Sequence, residues 1–423
     1  MFGILISIIF LFLISYWVRP KHVKLNSKLN TYYNYGIVLR ILGTSAYIFY
    51  AFQLSDGSVD AFIYDNYAQE FAEFFLRGDF SPFYDESLWR TGQFFYTNFV
   101  SYPAALFLIL TFNSTFGIYL LFSLSCFVGL VLLYKAFVNN YLFLDRKMIM
   151  LVIFLFPALW FWTSTIGKDS WMFLGMGLLC LGISNNRINY FYVAFGIFIM
   201  YAFRPPVAYI SILAFGSFFI LNTSDKFLMK TVKIGLGLFA IVFLLNYLSQ
   251  EWGINEISNE ELTELQQETL RHNDYGSGSL DEKQGGLSSI PRGVVDVLFR
   301  PFIWEIDNIL SLASTIEINF VVILLLVKRK SVFQFIRNGL KHRLSTFALA
   351  FVGIYVVTIG LFENNIGIIA RHRAIIFPFL FLMAFAYDDK VKRAYQQFLW
   401  RKRKQAAKLN RQDVETQRGL INN

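Results

Sequence analysis

The chain has 423 residues, of which 56% are hydrophobic, 19% aromatic and only 16% charged. This composition excludes an ordinary soluble domain of the same length, in which about 45–50% of residues are apolar and about 25% charged. The net charge of +9 does not indicate a nucleic-acid partner, because the basic residues concentrate in a few loops and the C-terminal tail, as the positive-inside rule gives for membrane proteins.

Apolar segments that suit membrane-spanning helices recur from end to end of the chain. A helix needs about 20 residues to cross the bilayer, and we count eleven candidates. The predicted fold class is therefore all-α, a polytopic transmembrane helical domain over residues 1-387, with a basic cytoplasmic tail at 388-423. The predicted spans are 3-18, 36-54, 116-138, 147-163, 170-184, 188-203, 206-223, 231-249, 308-327, 344-362 and 373-387.

The distribution of charge predicts the orientation of these spans. The first span has no charge before it and the basic stretch RPKHVKLNSK after it, the reverse of a secretory signal. We expect a retained helix with its N-terminus outside. Alternation then places the loops with nearly all Lys and Arg, and the tail, on the cytoplasmic side.

The two largest segments outside the spans, about 55-115 and 250-307, are expected to face outward. Residues 55–100 hold eight acidic residues against two Arg, and residues 250–307 hold twelve against four basic residues. In the first segment, the helical spacing of apolar residues at 60-78, with Asp65 on the polar face, predicts a helix lying in the outer interface.

Two further features belong to these outward segments. A stretch at 99-112 is too short to span and predicts a second interfacial helix. In the second segment, Ser258 and Glu261 have capping-box spacing, and the Gly- and Ser-rich stretch 274-286 is typical of a linker or lid. The working surface is therefore expected to be extracytoplasmic.

Lys168 and Asp169 lie side by side in STIGKDS, between two apolar spans. In one interpretation, Asp169 or Ser170 caps a helix that begins at Trp171, while Lys168 reaches water. In the other, Lys168 helps hold an anionic substrate, while Asp169 orients it or takes a proton. We expect the pair to lie close to the outward arginines.

Arg204 in FRPP and Arg300 in FRPF each precede a proline that suits the first turn of a helix. Both guanidinium groups are then expected near helix N-termini, where arginine can bind phosphate oxygens through two N–H groups. Alternatively, they reach lipid headgroups, or pair with Glu305 or Asp296.

Arg371 and Arg373 stand at the mouth of the last span, in ARHRAIIFPF. In an extended backbone the two side chains would share a face, whereas in a helix they point about 200° apart, so that only one reaches a common site. Anchoring at the membrane interface is the alternative. We expect both Arg371→Ala and Arg373→Ala to abolish the activity of the protein at normal protein level.

Asp56, Asp60 and Asp65 follow the second span and are the candidate catalytic carboxylates. A carboxylate there can act as general base or hold a divalent cation, so a cation is left open as the cofactor. Asp60 is preferred. The sequence has no GxxxxGK[ST] loop and no HExxH motif, and Cys126 and Cys180 fall inside spans, so that ATP hydrolysis and zinc chemistry are not indicated.

The order of DAFIYDNYA, STIGKDSWMFLG, PRGVVDVLFRPFIWE and NNIGIIARHRAIIFPF along the chain resembles that of bacterial membrane glycosyltransferases of the GT-C type. More specifically, it resembles Wzy-like polymerases of O-antigen, capsule or exopolysaccharide clusters. The resemblance implies a GT-C-like fold in the cytoplasmic membrane of a bacterium. It further implies undecaprenyl-diphosphate-linked sugars as substrate at the outer leaflet, and other polysaccharide assembly proteins as partners.

The resemblance also implies roles for single residues. Asp56 or Asp60 matches the catalytic carboxylate of the first outward loop, although an extra span precedes that loop here, and Asp169 lies nearby in the layout. The predicted contacts to the diphosphate or glycan are Lys168, Arg204, Arg300, Glu305, Arg371 and Arg373.

A flippase or transporter of lipid-linked glycans is the main alternative. Transporters usually show paired repeats, interrupted helices and charges near the middle of the membrane, and the sequence shows no evident repeat and few charges deep in its spans. An enzyme is therefore favoured. A membrane acyltransferase is disfavoured, because none of the four His falls inside a predicted span.

Overall fold

The structure is a computed structural model that describes residues 2–54, 60–89, 95, 97–184, 187–221, 289–340, 342–363 and 365–400. These residues form helices and turns without a β-strand. The helices are α1 Phe2–Val18, α2 Lys21–Leu25, α3 Ser27–Phe49, α4 Asp60–Leu76, α5 Thr97–Leu110, α6 Thr115–Asn140, α7 Arg146–Leu155, α8 Pro157–Phe161, α9 Lys168–Ser184, α10 Tyr190–Phe203, α11 Pro205–Leu221, α12 Ile290–Phe299, α13 Ile309–Val327, α14 Arg329–Gly339, α15 Arg343–Phe362, α16 Ile366–Arg373 and α17 Phe377–Phe385.

Within the described residues, five helices are long and apolar enough to cross a membrane, and four shorter helices are apolar. The chain is therefore an all-α membrane protein, as predicted. The predicted span 231-249 lies outside the described residues, as do Ser258, Glu261, the stretch 274-286 and the end of the tail. The five long helices are α3 with the π-helical turn that continues it (Ser27–Gln53), α6, α13, α15, and α16 and α17 joined by a 3-10 turn (Ile366–Phe385).

Helix α6 lies at the centre of the bundle and is buried along most of its length. It packs most extensively against α9, which carries Lys168 and Asp169 at its first turn. The two helices approach closely because Gly129 and Gly177 face each other, and a Cβ on Gly177 would overlap the carbonyl oxygen of Gly129. Small residues allow such close contact between membrane helices.

We expect Gly177→Ala to lower the free energy of unfolding by about 1–3 kcal/mol, because the added methyl group forces α6 and α9 apart. Gly353→Ala in α15 is the matched control, since no atom lies within 4 Å of a Cβ built there. Both substitutions gain the same helix propensity. Thermal unfolding in detergent should give a lower Tm for Gly177→Ala only; equal Tm values would contradict the close packing.

Helix α4 confirms the predicted amphipathic helix and packs against α5, the predicted second short helix. Gly78 ends the segment with φ of +75°, a conformation that glycine adopts without strain. One prediction for this helix was wrong. Asp65 lies on the buried face and not on the polar one.

Candidate functional site

Asp169, in the first turn of α9, joins side chains from three other parts of the chain. Its Oδ2 accepts a hydrogen bond of 2.5 Å from Nε of Arg371 in α16, and its Oδ1 lies 3.3 Å from Nη1 of Arg204. Arg204 stands between α10 and α11, and α11 begins at the proline that follows it, as predicted. We call Lys168, Asp169, Arg204 and Arg371, with Asp60 at the rim, the Asp169 cluster.

Lys168 belongs to the interior of this cluster. Helix α9 begins at Lys168, three residues before the predicted start at Trp171, and only 7% of Lys168 is exposed. The interpretation in which Lys168 reaches water is therefore wrong. Its ammonium group lies near the charged groups of Arg204, Asp60, Arg371 and Asp169. The expected closeness of Lys168 and Asp169 to Arg204 and Arg371 is therefore confirmed.

Arg300 and Arg373 form a second group. Nη1 of Arg373 donates to the carbonyl oxygens of Arg300, at 2.5 Å, and Val297, at 3.2 Å, and Arg373 is almost fully buried. Because residues 366–373 are helical, Arg371 and Arg373 point away from each other, and only Arg371 reaches Asp169. Arg373 therefore holds the end of α12 against α16.

Arg300 is occupied by the carboxylates of Glu305 and Asp296, the pairing that the sequence left open as an alternative. Burial alone would raise the pKa of Glu305, but hydrogen bonds from Arg300 and from the backbone N–H of Phe302 lower it below its usual value. No α-helix begins at Pro301, so the prediction that Arg300 lies near a helix N-terminus was wrong. It follows the C-terminal end of α12.

The turn that leads into Lys168 is polar and buried. Thr163, Ser164 and Thr165 are at most 1% exposed. Ser164 shares a 2.8 Å hydrogen bond with Ser123 of α6, and Ser170 Oγ donates to the carbonyl oxygen of Thr163 at 2.8 Å. These bonds satisfy a turn that would otherwise expose unpaired backbone groups to an apolar interior.

Arg40, in the middle of α3, supports this turn from the other side. The residue is 0% exposed, and its guanidinium donates to Thr163 Oγ1 at 2.8 Å and to the carbonyl oxygen of Leu159 at 3.2 Å. Leu159 belongs to the short helix α8, and Glu317 of α13 lies near Ala158 in the first turn of α8. The guanidinium of Arg40 therefore joins α8 to the turn that follows it.

Sequence reasoning did not identify Arg40 or Glu317 as site residues, although a signal was present. Arg40 is a charged residue inside the predicted span 36-54, and Glu317 one inside 308-327. Ionisable residues at membrane depth are rare and are usually functional or paired.

Aromatic and polar side chains from two further spans surround the cluster. Tyr355 donates to the carbonyl oxygen of His372 at 3.1 Å, and Nδ1 of His372 lies 3.8 Å from Glu363. Tyr47, in the last turn of α3, and Tyr50, just after it, pack against Phe161 of α8 and lie near Arg371. Tyrosines near the ends of spans are common in membrane proteins, so the sequence held no specific signal for them.

The three candidate carboxylates differ in position. Asp60 Oδ2 lies 3.7 Å from Arg371 Nη1, and 64% of the Asp60 side chain is exposed. Asp65 faces the interior of the fold, where burial raises its pKa, although a hydrogen bond from Gln69 opposes the shift. Asp56 lies outside the described residues. Of the two candidates that the structure describes, Asp60 is therefore the one that a substrate can reach, at the rim of the Asp169 cluster.

The Asp169 cluster has the chemistry of an anion site, because arginine and lysine N–H groups are strong donors to phosphate and carboxylate oxygens. In the part of the chain that the structure describes, no three His, Cys, Asp or Glu side chains are arranged to hold a metal ion. Comparison with models of protein families, with curated proteins and with solved structures finds no match.

Proposed function

We propose that the chain is a membrane glycosyltransferase or polysaccharide polymerase that joins sugar repeat units carried on undecaprenyl diphosphate. In this proposal it has a GT-C-like fold with about eleven spans, lies in the cytoplasmic membrane of a bacterium with its N-terminus outside and its C-terminus inside, and works at the outer face. The observation that carries the proposal is the Asp169 cluster, which gathers one ammonium and two guanidinium groups at the ends of apolar helices.

A diphosphate fits the donors of the cluster. Arg371 uses Nε for Asp169 and holds Nη1 near the exposed carboxylate of Asp60, while a guanidinium carries five N–H donors in one plane. Asp169 fixes the direction of both guanidinium groups, so little side-chain entropy is lost when a ligand binds. A lipid-linked donor also carries its own diphosphate to the membrane surface, so that the reaction does not need a nucleotide sugar as donor.

The reaction divides among the residues as follows. The acceptor hydroxyl oxygen attacks the anomeric carbon of the donor sugar while its proton passes to Asp60. The bond from that carbon to the diphosphate oxygen breaks, and the electron pair leaves with undecaprenyl diphosphate. Lys168, Arg204 and Arg371 stabilise the charge that develops on the leaving group.

Asp169 has a positioning role in this proposal. Each of its oxygens contacts an arginine, so a proton acceptor at this place would first have to break an ion pair in a buried site. Asp169 therefore orients the two arginines and does not act as the general base.

A transporter of lipid-linked glycans is the second candidate, and one observation favours it. The structure interrupts the helix between α7 and α8 at Phe156, and it buries the guanidinium of Arg40 against Leu159 of α8. Interrupted helices with charged residues at membrane depth are typical of transporters.

The test is to reconstitute the purified full-length protein in vesicles with a lipid-linked oligosaccharide as the sole glycan. Ladders of added repeat units would support the polymerase, and transfer of one sugar would support a glycosyltransferase. Movement of the lipid between leaflets without new glycosidic bonds would support the transporter and contradict the enzyme. Arg371→Ala serves as the inactive control.

We expect Asp60→Asn to lower the transfer rate by about 10²–10⁴-fold, the usual contribution of a general base. Protein level should be unchanged, because the side chain is largely exposed. Asp65→Asn is the matched control on the same helix, and its rate should stay within about twofold of wild type. A near-normal rate in Asp60→Asn would rule out Asp60 as the base.

A further inference from the structure

A cavity of about 320 Å³ opens where α13 ends, α14 begins and the chain leaves α17. This volume lies within the range of small-molecule sites, about 300–1,000 Å³. The cavity is separate from the Asp169 cluster. Tyr387, which lines it, is about 24 Å from Arg371 along α16 and α17 at 1.5 Å per residue.

The walls of the cavity are fixed by hydrogen bonds between distant parts of the chain. Lys328 Nζ donates to Asp388 Oδ2 at 2.8 Å, and Asp388 Oδ1 accepts the backbone N–H of Lys390 at 2.8 Å. Ser331 Oγ donates to the carbonyl oxygen of Met383 at 2.9 Å. The two sides of the cavity therefore hold a defined spacing.

Basic residues dominate the lining. Asp388 is occupied by Lys328, so the charges of these two residues largely cancel. The remaining lining then has four basic side chains and one acidic side chain, that of Asp389. Among the residues that the structure describes, none of these four basic side chains forms an ion pair. The four residues are Arg329, Lys330, Lys390 and Arg393.

The cavity lies at the end of a helix that is long enough to span a membrane. Helix α13 has membrane-spanning length, and α14 follows it directly. Phe333, Ile336 and Leu340 in and just after α14 are each more than half exposed, whereas Phe335 is fully buried. An apolar face of this kind on a basic helix is typical of a helix lying in the membrane interface.

From these observations we infer that the cavity binds the phosphate headgroup of an acidic phospholipid in the leaflet at this end of the bundle. A free phosphate ion would offer the same oxygens, but it would not explain why the basic lining stands beside an apolar helix face at headgroup depth. Under the proposed orientation this is the cytoplasmic leaflet, where acidic lipids attract basic segments. The inference is independent of the reaction at the Asp169 cluster.

The test measures lipid retention on the delipidated full-length protein in neutral detergent by native mass spectrometry, with phosphatidylglycerol and phosphatidylcholine added in equal amounts. We expect wild type to retain phosphatidylglycerol at least about tenfold better. Each basic residue near the membrane surface contributes about fivefold, so Arg329→Gln/Arg393→Gln should lose most of this preference. Lys21→Gln/Lys28→Gln is the control, because both lysines are exposed and neither lines the cavity.

Two results would overturn the inference. One is an equal preference for phosphatidylglycerol in wild type and in Arg329→Gln/Arg393→Gln. The other is complete displacement of the lipid by millimolar inorganic phosphate, which would show a site for a small anion. If the double variant does not elute as a single species on gel filtration, Lys390→Gln takes its place, with an expected loss of about fivefold.

Discussion

Arg371→Ala is expected to lower glycan transfer by at least about 10²-fold, the cost of removing one preorganised donor from a transition-state site. The protein should still fold, because Asp169 keeps Arg204 as an ion-pair partner at 3.3 Å. Arg371→Lys retains the charge but loses the planar fork, so it should restore only part of the rate. The measurement is the initial rate of repeat-unit addition in vesicles, normalised to protein amount.

Two comparisons make this expectation specific. Arg77→Ala should leave the rate unchanged, because Arg77, just after α4, is exposed and its one ion pair among the described residues is with Glu73. Arg373→Ala should instead reduce the amount of folded protein, because it leaves the carbonyl oxygens of Val297 and Arg300 without their buried donor. This replaces the expectation that the two arginine variants behave alike. Polymer of normal chain length in Arg371→Ala would refute the role of Arg371.

Hydropathy predicted several helices well, because a membrane helix must be apolar along its length and satisfies its own backbone hydrogen bonds. The single predicted span 147-163 was wrong, because Phe156 before Pro157 divides it into α7 and α8. The predicted spans 116-138, 308-327 and 344-362 coincide closely with α6, α13 and α15. Element ends were less predictable. Helix α9 begins at Lys168 and not at Trp171, because a buried ion pair with Arg371 and Arg204 allows two charged residues to enter the first turn.

The site was predictable only in part, because its geometry depends on contacts between distant residues. The sequence indicated that Arg204 and Arg371 approach Asp169, but the choice between Arg371 and Arg373 depended on whether the backbone there is helical or extended. Arg300 could not be assigned either. Its partners Glu305 and Asp296 are close in sequence, yet only the fold shows that both reach it at once.

The turn at residues 164–167 (STIG), just before Lys168, was even harder to predict from the sequence. Its hydroxyl groups suggest an exposed loop, whereas in the structure they are buried and bonded. The donor that makes this burial tolerable is Arg40, which lies more than 100 residues earlier in the chain and has no carboxylate ion pair among the described residues. Its guanidinium donates instead to neutral oxygens, the Leu159 carbonyl in α8 and Thr163 Oγ1.

Removing this donor should therefore loosen the turn and displace Lys168 and Asp169. We expect Arg40→Met, which keeps the length of the side chain but not its charge, to lower the free energy of unfolding by about 2–5 kcal/mol, because Leu159 and Thr163 lose a buried charged partner. Arg40→Lys should recover part of the loss, since an ammonium group can still reach one of the two acceptors.

Cys126 offers a local reporter of this loosening. It is fully buried in α6, and its Sγ lies 4.0 Å from the carbonyl oxygen of Leu159, the group that Arg40 also binds. In a Cys180→Ser background, Arg40→Met should raise the rate of maleimide labelling of Cys126 by at least about tenfold, since each 1.4 kcal/mol of lost stability raises the open population tenfold. In the reciprocal Cys126→Ser background, labelling of Cys180 should change less, because Cys180 lies about three turns along α9 from Lys168. Unchanged labelling of Cys126 together with an unchanged Tm would show that Arg40 does not support the turn.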